Sequence, residues 1–368
     1  MNCISSLQLT NFKCFDSLKL NMQNLNVLSG INSTGKSTVV QSLLLLRQAY
    51  ELGVIKEGVR LNGDIVNIGV GKDLLCRTGS SDTINIALGC GELKYDWTYK
   101  YSPAVDYLHI SEINIGDDLQ EFNLFSPTFS YISAERLGPQ RIYNKSGLHV
   151  IERNQIGYKG EYFVDYLVER GMDDKVNNDA VIQKDFAVTL ISQMEAWLSL
   201  VSPGIKLNAD SSFNEAGLVQ LFYVTFDGRV SQNNSPYNVG FGLSYTAPVI
   251  LALLKAQKGD LVILENPEAH LHPRGQRRMG ELIAGAAKGG VQVIVETHSD
   301  HLLNGIRLAV KNGQISKDDI CLNYFYSNFK EHGLIHSFAT PKIRDDGSLD
   351  KWPDGFFDEW DIAAMELF

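Results

Sequence analysis

The spacing of hydrophobic residues changes along the chain and predicts a different structure for each of its three parts. Near the N-terminus, two alternating stretches are followed by a short continuous apolar run, Leu25 to Leu28, which predicts a buried strand. A loop with two glycines comes next. Residues 37–51 then carry a wide apolar stripe at helical spacing, which predicts a helix packed under a sheet. We therefore predict strand, turn, strand, turn, strand, loop and helix over residues 1–55.

The middle part of the chain has a different pattern. From about residue 60 to residue 155, apolar and polar residues mostly alternate, as in Thr83 to Leu88 and Leu93 to Tyr101. This alternation indicates antiparallel strands. Beyond it, helical spacing and then renewed alternation predict two helices and a strand, at residues 160–170, 184–201 and 218–225.

The last third contains two continuous apolar runs, Leu261 to Leu264 and Val291 to Val295, each followed by a helix-like segment. This βα order is typical of a buried parallel sheet. The segments that look parallel, residues 1–60 and 236–312, lie on either side of the mixed middle part. One α/β head split by an insertion explains this better than two independent domains. The predicted division is a head of residues 1–75 and 236–345, an inserted β-rich and helical lobe of residues 76–235, and a C-terminal tail of residues 346–368.

The composition is that of a large globular protein. The chain has 368 residues, of which 44% are hydrophobic and 21% are charged, which is enough apolar material for a sizeable core. No apolar run approaches the roughly 18 to 20 residues of a membrane helix, and the N-terminus does not resemble a signal peptide. The five cysteines form no C-x-x-C pair, so neither a disulfide framework nor a zinc knuckle is indicated. We predict a cytoplasmic protein without a membrane partner.

The formal net charge of −10 bears on the partners of the protein. A chain this acidic does not bind nucleic acid through its bulk charge, although a local basic groove would still allow contact with DNA. Partner proteins are therefore the first expectation.

The loop after the third predicted strand has the chemistry of a phosphate site. Residues 30–37 read G-I-N-S-T-G-K-S, which fits G-x-x-x-x-G-K-[S/T] at every specified position. In such a loop, backbone N–H groups turn toward the phosphates, Lys36 faces the β and γ oxygens, and the Ser37 hydroxyl ligates Mg²⁺. The sequence therefore predicts ATP and Mg²⁺, bound by Gly30, Asn32, Ser33, Thr34, Gly35, Lys36, Ser37 and Thr38. A chance glycine turn is the alternative.

The second motif places a carboxylate at the end of a predicted strand. The apolar run that begins at Leu261 ends in Glu265, the form needed to bring an acid to Mg²⁺, so Glu265 and Ser37 are the predicted metal ligands. Residues 265–273 read E-N-P-E-A-H-L-H-P, and Pro273 suits the first position of a helix. This run resembles the E-E-P-E-A-H-L-H-P form of the Walker B motif in OLD-like and RecF-like relatives of ABC ATPases.

The resemblance implies that the second acid of this motif polarises the attacking water, and here Asn266 stands in its place. Asparagine orients water but cannot accept its proton. Three explanations are open: no strong base is needed, Glu268 acts instead, or Glu296 acts from the neighbouring strand. We favour Glu296 because it lies two residues before His298, so that both side chains point the same way in a strand. A solvated acid at a strand end is the alternative for Glu296.

A third motif lies between the first two. Residues 240–245 read G-F-G-L-S-Y, and Ser244 is predicted to cap a helix that covers residues 247–256. The run resembles the ABC signature. The resemblance implies that Gly242, Ser244 and the helix N-terminus face the γ-phosphate bound to another subunit, so that ATP joins two copies. An ordinary glycine turn into a core helix is the alternative.

A histidine follows the second apolar run of the last third. His298 comes 33 residues after Glu265 and looks like the switch histidine of the same family. A neutral imidazole there would bridge the γ-phosphate and the water, whereas a polar cap on a strand is the alternative. The predicted catalytic residues are Lys36, Glu265, Asn266, Glu296 and His298. A zinc site formed by His270, His272, His298 and His301 is a weaker alternative, because the family motif explains the first two.

Three further passages have open interpretations. Residues 131–140, Y-I-S-A-E-R-L-G-P-Q, form either a loop that reports the nucleotide to the inserted lobe or a salt-bridged surface turn. Three arginines follow the predicted strand that ends in Glu265, namely Arg274, Arg277 and Arg278. They would meet DNA, a partner or the opposite subunit, or form a solvated face. The aromatic and acidic tail, residues 352–360, packs on its own head or serves as a hook for a partner.

Two absences refine the prediction. No sustained heptad pattern lies between Lys36 and Glu265, so the coiled-coil arms of SMC proteins are not expected. No further cluster of acids like the Toprim nuclease of OLD proteins follows His298. The resemblance therefore indicates a stand-alone ABC-type ATPase of the SMC/RecF/OLD-like group, with a P-loop NTPase head, a mixed central sheet, an antiparallel β lobe and an inserted helical segment.

The function implied by this resemblance is Mg-dependent ATP hydrolysis by a homodimer or higher oligomer. Heads of this type often regulate a separate effector, so a nuclease or toxin in bacterial anti-phage defence is the expected partner. The alternatives are an ATP-assembled scaffold with little turnover and a RecF-like DNA-repair ATPase that binds duplex DNA.

Overall fold

The computed structural model describes residues 3–79, 81–116, 118–212, 216–226, 231–330, 333–357 and 359–367. The strands within these ranges are β1 Ser6–Phe12, β2 Phe15–Asn21, β3 Leu25–Gly30, β4 Gly58–Arg60, β5 Thr83–Cys90, β6 Leu93–Lys100, β7 Tyr107–Asn114, β8 Ser130–Ile132, β9 Ile142–Asn144, β10 Lys206–Asp210, β11 Leu218–Phe226, β12 Ser231–Asn234, β13 Leu261–Glu265, β14 Gln292–Glu296, β15 Ile320–Lys330 and β16 Gly333–Ala339. The helices are α1 Lys36–Glu51, α2 Gly71–Leu74, α3 Phe163–Arg170, α4 Leu190–Val201, α5 Phe241–Lys255, α6 Pro273–Lys288, α7 Asp300–Lys311 and α8 Glu359–Leu367.

The chain folds into two compact units. The first unit consists of Met1–Ser126, Cys321–Pro341 and Lys351–Phe368, and the second of Pro127–Ile320 and Lys342–Asp350. Each unit combines helices with sheet, which confirms the predicted mixed α/β class. The finer division into head, inserted lobe and tail stays a prediction. No helix in the described ranges is both long enough and apolar enough to cross a bilayer.

An antiparallel sheet forms much of the first unit. Its strand order is β2-β1-β5-β6-β7-β4, and every neighbouring pair is antiparallel. Inward-facing residues of β1 pair with those of β5, as in Leu7 with Leu88 and Leu9 with Ile86, and all four are buried. This pairing of alternate positions is what period-2 patterning predicts for a half-buried sheet. The predicted antiparallel strands near residue 83 and residue 93 are confirmed.

The first unit also contains the strand and helix that flank the glycine loop. Strand β3 is buried along nearly its whole length, and α1 buries most of its residues, including Leu43 to Leu46. In the same unit β3 lies beside β15, and β15 forms an antiparallel hairpin with β16, with Phe325 opposite Phe338. The predicted strand, loop and helix are therefore confirmed.

The second unit is built on parallel strands. Strand β13 pairs in parallel with β14 on one side and β8 on the other. Helices α6 and α7 follow β13 and β14 in βα order, as predicted. The two helices approach closely at Gly280 and Gly305, where an added Cβ would come within 2.2 Å of the carbonyl oxygens of Leu302 and Arg277 respectively. Glycine at these positions permits the close packing of α6 on α7.

A small antiparallel sheet completes the second unit, with β11 between β10 and β12 and with β9 also pairing to β11. The helix predicted for residues 184–201 begins only at Leu190, so its first six residues were assigned wrongly. The cause is Gln193, whose buried side chain accepts from the N–H of Gln183 at 2.7 Å and donates to the carbonyls of Gln183 and Ala187. These bonds hold the preceding segment as a loop.

Candidate functional site

The glycine loop of the first unit adopts a backbone that requires its glycines. Gly30 and Gly35 have φ of 138° and 111°, and Ser33 between them has φ of 63°. An added Cβ on Gly30 would lie 2.1 Å from the carbonyl oxygen of Phe325, and one on Gly35 would lie 2.3 Å from the ring of Phe15. Both the left-handed conformation and the close neighbours therefore select glycine at the two ends of the loop.

Lys36 lies at the first position of α1 and its side chain is held against the loop. Its Nζ donates to the carbonyl oxygens of Gly30 at 2.9 Å and Ile31 at 2.8 Å, and the residue is 3% exposed. The Thr34 hydroxyl donates to the same Ile31 carbonyl at 2.7 Å. The ammonium group is thus positioned at the N-terminus of α1, where the helix dipole adds further positive potential.

A cavity of about 620 Å³ opens beside this loop, within the first unit. Five of the predicted phosphate-binding residues line it: Ser33, Gly35, Lys36, Ser37 and Thr38. Its other charged lining residues are Lys13, Lys72, Arg77 and Asp73, so the four cationic side chains outnumber the single carboxylate. Such a concave cationic wall concentrates anions. The cavity suits a polyphosphate, and the exposed Ser37 offers a hydroxyl oxygen to a cation bound with it.

In the second unit, Glu265 stands at the carboxyl end of β13. Its Oε2 accepts from the Ala134 N–H at 3.0 Å, and the Tyr131 hydroxyl also bonds to its carboxyl group. Burial raises the pKa of Glu265, while the two hydrogen bonds and the nearby Arg136 oppose that rise. Burial, followed by the charge of Glu265, raises the pKa of Tyr131. The carboxyl group is oriented by fixed donors, which leaves an oxygen ligand of the kind that Mg²⁺ prefers.

Arg136 connects the loop after β8 to the end of β13. Its guanidinium donates to the carbonyl oxygens of Ser133 at 2.9 Å, Glu265 at 2.7 Å and Asn266 at 2.7 Å, and the residue is 4% exposed. Burial lowers its pKa to about 10, and the charges of Glu268 and Glu265 oppose this. The sequence left this passage open between a functional loop and a surface turn. The structure places Arg136 in the interior, where it fixes the backbone that carries Glu265.

Replacing Arg136 by alanine is expected to destabilise the second unit by about 2–4 kcal/mol, because three carbonyl oxygens lose a buried donor. For a unit of this size the loss corresponds to a Tm lower by roughly 5–10 °C. Arg136→Lys should recover little, because an ammonium group does not reproduce the planar fork. Thermal unfolding followed by circular dichroism measures both, with the exposed Arg153→Ala as control. A Tm for Arg136→Ala equal to that of the control would contradict this role.

The turn after β13 explains the asparagine at position 266. Asn266 has φ of 44°, and its N–H donates to the Glu296 carbonyl at 2.8 Å. Asparagine tolerates this left-handed conformation better than glutamate does. Its side-chain Oδ1 is buried and has no hydrogen-bond donor among the residues that the structure describes. The residue therefore supports the shape of the turn, and it is not an acid that could accept a proton.

Glu268 links the ends of the two parallel strands. Its Oε1 accepts from the His298 N–H at 3.0 Å. Burial raises the pKa of Glu268, and the hydrogen bond from His298 opposes the rise. One of its carboxyl oxygens is thereby engaged in holding the segment that carries His298, which weakens the explanation in which Glu268 acts as the base.

Glu296 lies directly beside Glu265 in the register of β13 and β14. Paired residues of parallel strands point to the same face, so the two carboxyl groups share one face of the sheet edge. Glu296 is 6% exposed, so the alternative of a solvated strand-end acid is wrong. His298 follows two residues later and is exposed. The second unit thus brings Glu265, Glu268, Glu296 and His298 to one edge, while their catalytic roles stay predictions.

The signature-like segment begins its helix earlier than predicted. Helix α5 starts at Phe241 with Gly240 as N-cap, so the prediction that Ser244 caps the helix is wrong. Ser244 is the fourth helical residue and is 1% exposed. Gly242 allows the early start, because a Cβ there would lie 2.6 Å from the carbonyl oxygen of His270. The first turn of α5 therefore packs on the turn that follows β13. A contact of Gly242 and Ser244 with a phosphate stays a prediction.

The histidines of the weaker zinc alternative have local roles in the structure. The His270 ring packs against Tyr245 with ring centres 4.4 Å apart, and His272 Nδ1 accepts from the Arg274 N–H at 3.3 Å at the start of α6. Within the described ranges, no group of three or more His, Cys, Asp or Glu side chains is placed to hold a metal ion. Mg²⁺ differs from zinc in needing few protein ligands, because phosphates and water supply the others.

The remaining sequence features have defined contacts. Arg277 and Arg278 both pair with Glu281, at 3.1 Å and 2.5 Å, so this basic face is partly neutralised. In the tail, the buried Phe356 ring packs on Tyr324 with ring centres 5.1 Å apart, within the first unit. Residue 358 and the side chains of residues 358–362, that of Trp360 among them, lie outside the described part.

Three family models match successive parts of the chain. Residues 3–96 match "AAA ATPase domain", and residues 161–304 match "AAA domain, putative AbiEii toxin, Type IV TA system". Residues 315–367 match "Protein of unknown function (DUF3696)". The first model contains the glycine loop, and the second contains the segments around Glu265 and His298. No curated protein sequence matches the chain.

Solved structures of similar fold include two heads of Smc proteins. An Smc head bound to the C-winged helix domain of ScpA is 12% identical and has a TM-score of 0.53, over 92% of this chain and 98% of that one. The Smc head of Pyrococcus furiosus, with an extended coiled coil and bound to the C-terminal domain of ScpA, is 11% identical. Its TM-score is 0.50 over 92% of this chain and 97% of that one. At such identities the likeness establishes the fold.

Proposed function

Because this chain is an AAA ATPase of the SMC/RecF/OLD-like group with the fold of an Smc head, we propose that it binds Mg·ATP and hydrolyses it. The observation that carries the proposal is the glycine loop with the buried Lys36 at its end, beside a cavity lined by four cationic side chains and one carboxylate. This arrangement is suited to a triphosphate.

The proposed division of labour follows the chemistry of each group. Bound Mg·ATP supplies the γ-phosphoryl group together with a cation that neutralises part of its charge. Lys36 and the backbone N–H groups of residues 33–38 bind the phosphates, and Ser37 and Glu265 provide the oxygen ligands of the Mg²⁺. Ala134 and Arg136 hold Glu265 in place through its carboxyl group and its backbone. The order of the motifs along the chain and the AAA models that match residues 3–96 and 161–304 support these roles.

For the attacking water, we propose Glu296 as the base, with His298 beside it as the switch residue. Asn266 cannot accept a proton, and one oxygen of Glu268 already accepts from the His298 N–H. Glu296 is buried and shares a sheet face with Glu265. A buried carboxylate near developing phosphate charge is suited to general-base catalysis.

Initial rates of ATP hydrolysis test this assignment. Glu296→Gln is expected to lower kcat by about 10²- to 10⁴-fold with little change in KM, because the isosteric amide keeps the packing but cannot accept a proton. The exposed Glu152→Gln of the same unit is the matched control and should behave as the wild type.

The same measurement separates the proposal from its alternative. A wild-type rate indistinguishable from that of Lys36→Ala would remove the hydrolase function and leave the ATP-assembled scaffold. A wild-type rate for Glu296→Gln would contradict the role of Glu296 as the base. It would favour the explanation in which the attacking water needs no strong base.

We further propose that two copies associate on ATP, with Gly242 and Ser244 of one copy facing the nucleotide of the other, and that this state controls a separate effector. A nuclease or toxin in anti-phage defence is the proposed effector. Support comes from the toxin–antitoxin description of the model matching residues 161–304 and from the Smc heads that were solved with a bound ScpA domain.

A further inference from the structure

The hairpin of β15 and β16 contributes to the wall of the phosphate cavity. Leu334 and His336 line the cavity, while Ile335 between them does not. Residues two apart in a strand share a face, so this face of β16 is turned toward the cavity. The hairpin belongs to the part of the chain that matches the third family model, residues 315–367, and not to the part that carries the glycine loop.

A chain of ring contacts connects His336 to the glycine loop. The Phe15 ring lies against Gly35, where an added Cβ would be 2.3 Å from it. The ring centre of His336 is 6.3 Å from that of Phe15, with the planes at 77°. Phe15 also contacts Phe325 of the hairpin, with ring centres 6.1 Å apart. His336 is therefore separated from the loop by the width of one aromatic ring.

The Nδ1 atom of His336 is buried and makes no hydrogen bond with any residue that the structure describes. This nitrogen has almost no accessible surface, so it is closed to a ligand in the cavity. The rest of the His336 side chain lines the cavity and is the part that a ligand there can contact.

The rest of this part of the cavity has mixed apolar and cationic character. Leu75 and Arg77, in the segment after α2, line the same cavity as Leu334 and His336. A flat heteroaromatic base binds to just such surroundings, because it packs on aliphatic side chains, on rings and on guanidinium groups and needs only a few hydrogen bonds. The phosphate chemistry of Lys36 and Ser37 does not account for Leu75, Leu334 and His336.

We propose that the β15–β16 hairpin carries the nucleoside subsite of this protein. The base of the bound nucleotide packs on Leu334 and the His336 ring, while the phosphates extend to Lys36. This inference rests on the proposed binding of ATP and adds the part of the chain that selects the base. The function of the third matched region is then to complete the nucleotide pocket.

Calorimetric titrations with Mg·ATP and with magnesium tripolyphosphate test the subsite, because the second ligand has the phosphates without the nucleoside. His336→Ala is expected to raise the Kd for ATP about tenfold or more and to leave the Kd for tripolyphosphate within about twofold. Ile335→Ala, the adjacent position that does not line the cavity, should change neither value.

Three further outcomes make the test decisive. Lys36→Ala should weaken the binding of both ligands, and unchanged affinities in this variant would overturn the proposed function itself. If His336→Ala loses equal affinity for ATP and for tripolyphosphate, the subsite alone is overturned. The same conclusion follows if it loses affinity for neither ligand. Should His336→Ala fail to fold, the exposed Leu334→Ala is expected to show the same selective loss for ATP.

The ring contact has its own variant. His336→Phe keeps a ring on which the base can pack, so it should retain most of the ATP affinity that His336→Ala loses. A Kd for ATP in His336→Phe as high as that of His336→Ala would overturn the packing of the base on this ring.

Discussion

Replacing Lys36 by alanine is expected to abolish ATP turnover and to weaken ATP binding by at least about 10²- to 10³-fold. Lys36 is 3% exposed and its ammonium group is held at the loop by the carbonyls of Gly30 and Ile31, so its removal takes away a positioned charge at the loop. Binding of a fluorescent ATP analogue and steady-state hydrolysis measure the two effects. The same variant should fail to form the proposed ATP-dependent dimer in light scattering.

The control for this variant is Lys100→Ala, which removes an exposed lysine of the same unit. Its ATP binding, turnover and mass should match those of the wild type. Circular dichroism should be native for both variants, because the loop backbone is set by Gly30, Ser33 and Gly35. Wild-type affinity in Lys36→Ala would show that the glycine loop is not the phosphate site.

The second large effect is expected for Glu265→Gln. Under the proposed role of Glu265, the Mg²⁺ loses a carboxylate ligand that is worth several kcal/mol of charge stabilisation, which corresponds to at least about 10²-fold in kcat. The Mg²⁺ concentration needed for half-maximal turnover should rise by about tenfold or more. The amide oxygen still accepts from the Ala134 N–H, and the backbone bonds of Arg136 are untouched, so the fold is expected to persist.

Metal removal separates this effect from nucleotide binding. In EDTA, Glu265→Gln and the wild type should bind ATP with equal affinity, because the carboxylate acts through the metal. The exposed Glu152→Gln should show the wild-type dependence on Mg²⁺. An unchanged Mg²⁺ dependence of turnover in Glu265→Gln would contradict the assignment of Glu265 as a ligand.

Arg136 shows how the ATPase motifs depend on residues outside them. The guanidinium bonds to the carbonyls of Glu265 and Asn266, which are 129 and 130 positions away along the chain. The sequence left this passage open between a loop that reports the nucleotide and a salt-bridged surface turn, and no spacing rule relates it to β13. Its buried position makes it a positioning residue whose loss is expected to act on stability and turnover together.

The sequence by itself determined the elements whose causes are local. The glycine loop and α1 were predicted because glycine, lysine and serine at fixed spacing define a phosphate loop and because apolar side chains at helical spacing define the helix. Strands β13 and β14 were predicted because a short continuous apolar run that precedes a helix is typical of a buried parallel strand. These signals act over a few residues, so one sequence is enough to detect them.

Tertiary contacts moved two boundaries that local rules misplaced. Helix α5 starts three residues before Ser244, because Gly242 can approach the backbone of His270 and only the folded turn reveals that neighbour. Helix α4 starts late, because the Gln193 side chain bonds to the segment before it. Local propensity allows an earlier or a later start for each of these helices, so tertiary packing decided where each one begins.

Only the tertiary structure decided which polar groups meet. It buried Glu296 beside Glu265, joined Glu268 to the N–H of His298, and placed His336 at the cavity of the glycine loop, about 300 residues from Lys36 along the chain. Hydrogen-bond satisfaction and charge burial are properties of the whole packed chain, and they leave no periodic trace in the sequence. The motifs were therefore readable from the sequence, while the residues that position them and complete the pocket became evident only in the fold.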